Sequence, residues 1–195
     1  VRDEAQRVVI RAGAGTGKTR TVTRRIAYRA ATGRALPSEI VAVCFGRDAA
    51  SEMTGRLAAL GVTGVRVSTL HALGYRIIRD YWPKLGRRKV PRLVDEREAR
   101  AFLAELAHRH GVGQVDLSRR IALAKARLLA PGALTDEPDL PAAIANEVYR
   151  AYERWLRERN EIDHADQILL AVDLLERDDV SGVVCGSIRA GYVDE

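Results

Sequence analysis

Residues 12–19 read Ala12-Gly13-Ala14-Gly15-Thr16-Gly17-Lys18-Thr19, directly after the apolar run Val8-Val9-Ile10. This pattern constrains the fold more than any other stretch of the chain. Its glycines let the backbone curl so that successive N–H groups point inward at phosphate oxygens. Lys18 brings a point charge to the β- and γ-phosphates of a nucleoside triphosphate, and Thr19 offers a hydroxyl to Mg²⁺. A helix opening near Gly17 aims its positive end at the same phosphates. The strict pattern carries glycine at the first position, where this chain has Ala12, but the Gly17-Lys18-Thr19 core is intact. The plainer reading is a glycine-rich turn between a strand and a helix. Strand, loop and helical spacing (Val22, Ile26, Ala30) agree together on the phosphate loop instead.

The rest of the pattern predicts an α/β chain. Four short apolar runs, residues 8–10, 40–45, 65–69 and 191–194, read as strands of a parallel sheet. Helical periodicity follows the first three, which implies strand–helix–strand units with the sheet buried on both faces. The second helix spans about 48–60 and stops at Gly61, a natural helix end. The third starts near Leu70 and carries Leu73, Ile77 and Ile78 towards Pro83. After Gly86 the pattern changes to three amphipathic helices over 96–109, 117–129 and 142–159, with no strands between them. We read residues 1–85 and 161–195 as the α/β domain and 86–160 as an all-helical insert. A helix over 163–175 returns the chain to the sheet. Asp163 and Asp166 there sit at the helical spacing of a metal pair, though a cap followed by a solvated first turn suits their position better.

Composition adds the class of partner. Hydrophobic residues make up 47% of the chain, enough for a sizeable core. The net charge is +6, and of 32 basic residues only Lys18, Lys84, Lys89 and Lys125 are lysines. Arginine grips phosphates bidentately and stacks on bases, so nucleic acid is a sensible partner. The competing explanation is arginine richness inherited from genome composition. Cys44 and Cys185 form no CxxC, and each lies in an apolar run, so both read as reduced core residues. No apolar run approaches the roughly 18 residues of a membrane span, and a cytoplasmic chain is expected.

Five segments then occur in a telling order: AGAGTGKTR at 12–20, VAVCFGRDAASEM at 41–53, VSTLHALGYR at 67–76, IDHADQILL at 162–170 and YVDE at 192–195. Together they resemble the N-terminal half of the UvrD/Rep-like superfamily 1A DNA helicases. That family carries AGAGSGKTR, TFTNKAAxEM, a T-x-H segment, a D-F-D-D-L-type helix and VDExQD. The resemblance spans essentially the whole chain, and the helical insert falls where the family places its 1B subdomain. It implies a RecA-like P-loop NTPase sheet flanked by helices, using ATP and Mg²⁺ to move on single-stranded DNA and at single-strand/duplex junctions.

Site residues follow by position. The resemblance assigns residues 12–20 to the nucleotide, with Lys18 at the β- and γ-phosphates, Thr19 at Mg²⁺ and Arg20 beside the adenine. Phe45 and Arg47 would line the single-stranded DNA track, Phe45 by stacking on a base. Thr69 and His71 would contact the DNA backbone or a base. Asp194 would hold Mg²⁺ through water, and Glu195 would orient and deprotonate the attacking water. Stacking on an aromatic ring is sequence-tolerant and worth about 1–3 kcal/mol per base, which suits an enzyme that walks any sequence.

The chain departs from the family in places. Thr-Phe-Thr-Asn-Lys is replaced by Cys44-Phe45-Gly46-Arg47-Asp48, so a hydroxyl is lost at Gly46 and a charge gained at Arg47. Arg189-Ala190-Gly191 interrupts the strand before Asp194, and Gln6 lies too close to the loop to serve as the family's adenine-reading glutamine. The chain stops within the Asp-Glu motif, so the second RecA-like lobe expected in cis lies beyond it. An arginine finger from that side is worth about 10³–10⁵ in rate, so the 195 residues alone are expected to turn over ATP weakly or not at all. Two other readings stay open: the motor half of a RecB/AddA-type helicase–nuclease, and a DNA-binding or regulatory module that does not hydrolyse ATP.

Overall fold

A computed structural model describes residues 7–13, 15–112 and 116–194. In chain order these form α1 (Lys18–Ala31), β1 (Ile40–Cys44), α2 (Arg47–Ala59), β2 (Arg66–Thr69), α3 (Leu70–Tyr81), β3 (Arg92–Leu93), α4 (Glu96–Arg109), α5 (Leu117–Ala126), α6 (Ala142–Arg159), β4 (Glu161–Ile162), α7 (His164–Leu175), α8 (Asp178–Gly186) and β5 (Ala190–Asp194). They group into two compact units, one of Val1–Leu73 with Leu175–Glu195 and one of Gly74–Leu174. The chain is α/β, with a parallel sheet flanked by helices.

The first unit is built on a three-stranded parallel sheet in the order β2-β1-β5. β1 is central because Ile-Val-Ala-Val-Cys offers apolar side chains to both faces. Ile40, Ala42 and Cys44 share one face and pack with Val22 and Ile26 of α1 and Met53 and Leu57 of α2. The four-residue spacing of each helical pair puts both side chains on one stripe. The α2 helix ends as expected at Gly61, whose φ of +75° allows Val62 N–H to reach back to Leu57 O at 3.0 Å.

The expected strand over residues 8–10 does not form. These residues make no ladder bonds, and Val9 is 80% exposed. Gly191 and Val193 of β5 also stay exposed, Val193 at 77%. Cys185 is a second correction. Cys44 is buried, but Cys185 lies exposed on α8, a helix that the valine-rich run did not announce.

The second unit is a helical core. Leu103 and Leu106 of α4, Leu117 and Ile121 of α5, and Val148, Tyr152 and Leu156 of α6 are all buried in one cluster. The helices start where short acidic residues accept their free N–H groups. Asp95 accepts from Arg97 N–H at 2.8 Å, and Asp116 from Arg119 N–H at 2.9 Å. The α5 helix stops earlier than its periodicity implies, because Leu128 takes a left-handed φ of 59°. Asn146, buried on α6, ties down the loop between α5 and α6 by accepting from the N–H groups of Gly132 and Leu134. The strands β3 and β4 pair in parallel over two residues each, too short to leave a sequence pattern.

Candidate nucleotide and nucleic-acid interface

The phosphate loop enters α1 through two glycines in the left-handed region, Gly15 at φ +73° and Gly17 at φ +93°. A side chain at either position would strain the backbone. Gly17 is the N-cap of α1, so the first free N–H groups of the helix open onto the loop. Thr16 Oγ1 donates to Gly13 O at 2.7 Å and closes the turn. Lys18 Nζ donates to the carbonyls of Ala12 and Gly13, each at 3.2 Å, which holds the ammonium across the loop. Thr19 is half-buried on the first turn, and Arg20 folds over Gly17 with Nε 3.6 Å from where a Cβ would sit. Ala14 lies outside the described residues.

The sheet register brings the remaining strand ends to the same edge. Cys44 pairs with Thr69 on one side and with Asp194 on the other. Ligands in open parallel sheets bind beyond these C-terminal ends. Asp194 and Lys18 line one cavity of about 450 Å³, together with Val22 and Arg25 of α1. Burial pushes the Cys44 thiol up, and the nearby Asp194 carboxylate adds to the shift. Glu195 lies outside the described residues.

Phe45 follows β1 directly and is 87% exposed, the most exposed large apolar side chain among the described residues. Arg47, the first residue of α2, is also exposed. Thr69 Oγ1 accepts Ala72 N–H at 3.2 Å and so caps α3, while His71 on the first turn is exposed. Phe45, Arg47, Thr69 and His71 thus flank the C-terminal ends of two adjacent strands, and Lys18 and Asp194 share a recess on β5.

Two features escaped the sequence reading. The first is Arg25, buried in the recess beside Tyr192. Burial raises the Tyr192 phenol, while the guanidinium groups of Arg29 and Arg25 pull it back. The second lies in the helical unit. The first turn of α7 is not solvated: Lys125, 1% exposed in its side chain, donates to Asp163 Oδ2 at 2.8 Å and Asp166 Oδ1 at 2.7 Å. The capping expectation holds, since Asp166 N–H donates to Asp163 Oδ1 at 2.9 Å. The helical signal was there, because Lys125 shares the buried face of α5 with Ile121 and Ala124.

A phosphate loop, a parallel sheet and an acidic strand end define an α/β domain of the phosphate-loop class. The chain belongs to the UvrD/REP helicase N-terminal domain family, whose model matches residues 1–195. It is 35% identical to "ATP-dependent DNA helicase UvrD2" of Mycobacterium tuberculosis (strain ATCC 25618 / H37Rv), over 88% of this chain and 27% of that protein. It is 33% identical to "ATP-dependent DNA helicase PcrA" of Leuconostoc citreum, over 87% of this chain and 24% of the relative. The PcrA of Staphylococcus aureus (strain NCTC 8325 / PS 47) is 27% identical over a similar span. The chain spans about a quarter of the length of the curated relatives it matches. Among the described residues, no helix is long and apolar enough to cross a membrane.

Proposed function

We propose that this chain is the N-terminal motor lobe of a cytoplasmic ATP-dependent DNA translocase and helicase acting in repair or recombination. The observation that carries the reading is the shared recess of Lys18 and Asp194 at the same sheet edge as Phe45 and Thr69. We assign residues 1–85 and 161–195 to the RecA-like lobe and 86–160 to its helical insert, although residues 74–85 and 161–174 group with the helical unit in the fold. The loop N–H groups and Lys18 hold the phosphates of ATP, exchanging the carbonyls of Ala12 and Gly13 for phosphate oxygens. Arg20 lies beside the adenine. The hydroxyl of Thr19 and the carboxylate of Asp194 are hard oxygen donors that suit Mg²⁺. When bound, the metal neutralises charge on the phosphates. Glu195 orients the attacking water and takes its proton.

Phe45 stacks on a base of single-stranded DNA, Arg47 pairs with a phosphate, and Thr69 and His71 meet the strand beside it. The relatives are named ATP-dependent DNA helicases, which supports both ATP and DNA as ligands. A second RecA-like lobe in cis supplies the other wall of the cleft. The test is DNA-stimulated ATP turnover and strand separation by the full-length protein that carries this chain. Lys18→Ala and Asp194→Asn should each abolish turnover. Unchanged turnover in either variant overturns the assignment.

A further inference from the structure

The segment over residues 162–170 carries two aspartates, Asp163 and Asp166, that the proposed nucleotide and DNA contacts do not use, and both are held by one buried lysine. Lys125 Nζ lies 2.8 Å from Asp163, 2.7 Å from Asp166 and 2.7 Å from Glu153 of α6. The lysine side chain is 1% exposed, and the two aspartates are 17% and 14% exposed. Three carboxylates around one ammonium would leave two excess negative charges if all were ionised, beside a lysine shut off from water and two aspartates mostly so, with Glu153 27% exposed. Burying unpaired charge is costly, and a group so placed takes up a proton instead.

We propose that Lys125, Glu153, Asp163 and Asp166 form a proton-binding lock on the helical unit, which grips α5, α6 and α7 when one carboxylate is protonated and loosens them when the proton leaves.

Each element around the cluster contributes an ionisable group. The α6 helix adds Tyr149 and Tyr152, the latter with its ring centroid 5.5 Å from Lys125 Nζ. Burial pushes the Tyr149 phenol up to about 12 and raises that of Tyr152 as well, so neither ionises near neutrality. Burial opposes the charge on Lys125, but Asp166, Asp163 and Glu153 outweigh it and hold the amine protonated. Burial likewise pushes Asp166 up to about 6, against the pull of Lys125 and with the push of Asp163 and Glu153. Beside Asp163 opens a cavity of about 640 Å³, lined also by Glu96, Arg100, Arg119 and His164, which gives water a route to the Asp163 side of the cluster. There Glu96 lies 3.1 Å from Arg100 and 3.5 Å from His164.

The sign follows from Asp166. Its folded value of about 6 lies above the ordinary 3.8, so its acid form contributes stability below 3.8 that is lost as pH rises through 6. Most paired carboxylates act in the opposite sense, so the lock has a distinctive signature.

The experiment uses the 195-residue chain, with carboxyl NMR titration and amide exchange of α5, α6 and α7. Exchange rates, corrected for intrinsic rates, should rise about tenfold between pH 5 and 7.5. The Asp166 carboxyl should titrate near 6. Asp166→Asn should hold the same helices in the protected state at both pH values. Glu153→Gln removes one excess charge and should lower the Asp166 midpoint, which keeps the test decisive where Asp166→Asn folds poorly. An Asp166 midpoint near 4, or wild type and Glu153→Gln with the same pH dependence, overturns the lock. Nucleotide binding enters neither readout, so this result is separate from the motor assignment.

Discussion

Lys18 and Lys125 are two of only four lysines in the chain, and they are held in opposite ways. Lys18 is half-buried at the mouth of a glycine-rich loop and donates to two backbone carbonyls of that loop. Lys125 is sealed in a helical core against three carboxylates. A lysine whose acceptors are loop carbonyls can exchange them for a ligand's oxygens at modest cost. A lysine saturated by buried carboxylates cannot leave them without stranding charge. The α/β unit therefore leaves Lys18 at an open sheet edge, and the helical unit seals Lys125 among its carboxylates.

The contrast breaks first at Lys125. Lys125→Met should destabilise the helical unit by about 3–5 kcal/mol, because three carboxylates lose the cation they share. Urea unfolding followed by circular dichroism reads this directly. The matching Lys18→Ala should change stability by less than about 0.5 kcal/mol. Equal losses in the two variants would erase the distinction.

Packing inside the helical unit gives a smaller effect. A Cβ at Gly74 would lie 2.8 Å from Gln167 O and 3.4 Å from Ala171 Cβ. Gly74→Ala should therefore force α3 away from α7 and cost about 1–3 kcal/mol in the same unfolding assay. In the α/β unit, Phe45→Ala should leave stability unchanged, since the ring is already in solvent. It should weaken single-stranded DNA binding by about 1–3 kcal/mol per base lost, read by fluorescence anisotropy. The smallest effect belongs to Asp95→Ala, which removes the acceptor for Arg97 and Glu98 N–H groups and should cost about 1 kcal/mol.

Local signals were the legible ones. The phosphate loop declares itself because its glycines, lysine and threonine are neighbours in the chain. The helices α4 and α6 repeat their apolar stripe for three turns or more, and β1 is uniformly apolar. What escaped depends on distance along the chain. Asp163 and Asp166 lie 38 and 41 residues from the lysine they bind, so spacing alone could not join them. The strands β3 and β4 are two residues long and exist only because each finds the other. Residues 8–10 carry a strand's composition but make no ladder bonds, because composition does not supply a pairing partner. The α8 helix hides in Val183-Val184-Cys185, where β-branched residues argue against a helix until Asp178 and Asp179 at its first turn are weighed.

The central claim is that the loop ending at Lys18 is a nucleotide site on a fold that does not need that lysine. Calorimetric titration of Mg²⁺·ATP into the chain and into Lys18→Ala, with thermal unfolding of both in parallel, tests it most directly. We predict measurable binding to the native chain, its loss in Lys18→Ala, and superimposable melting curves. Equal affinity in the two proteins, or loss of binding that tracks loss of folding, would contradict it.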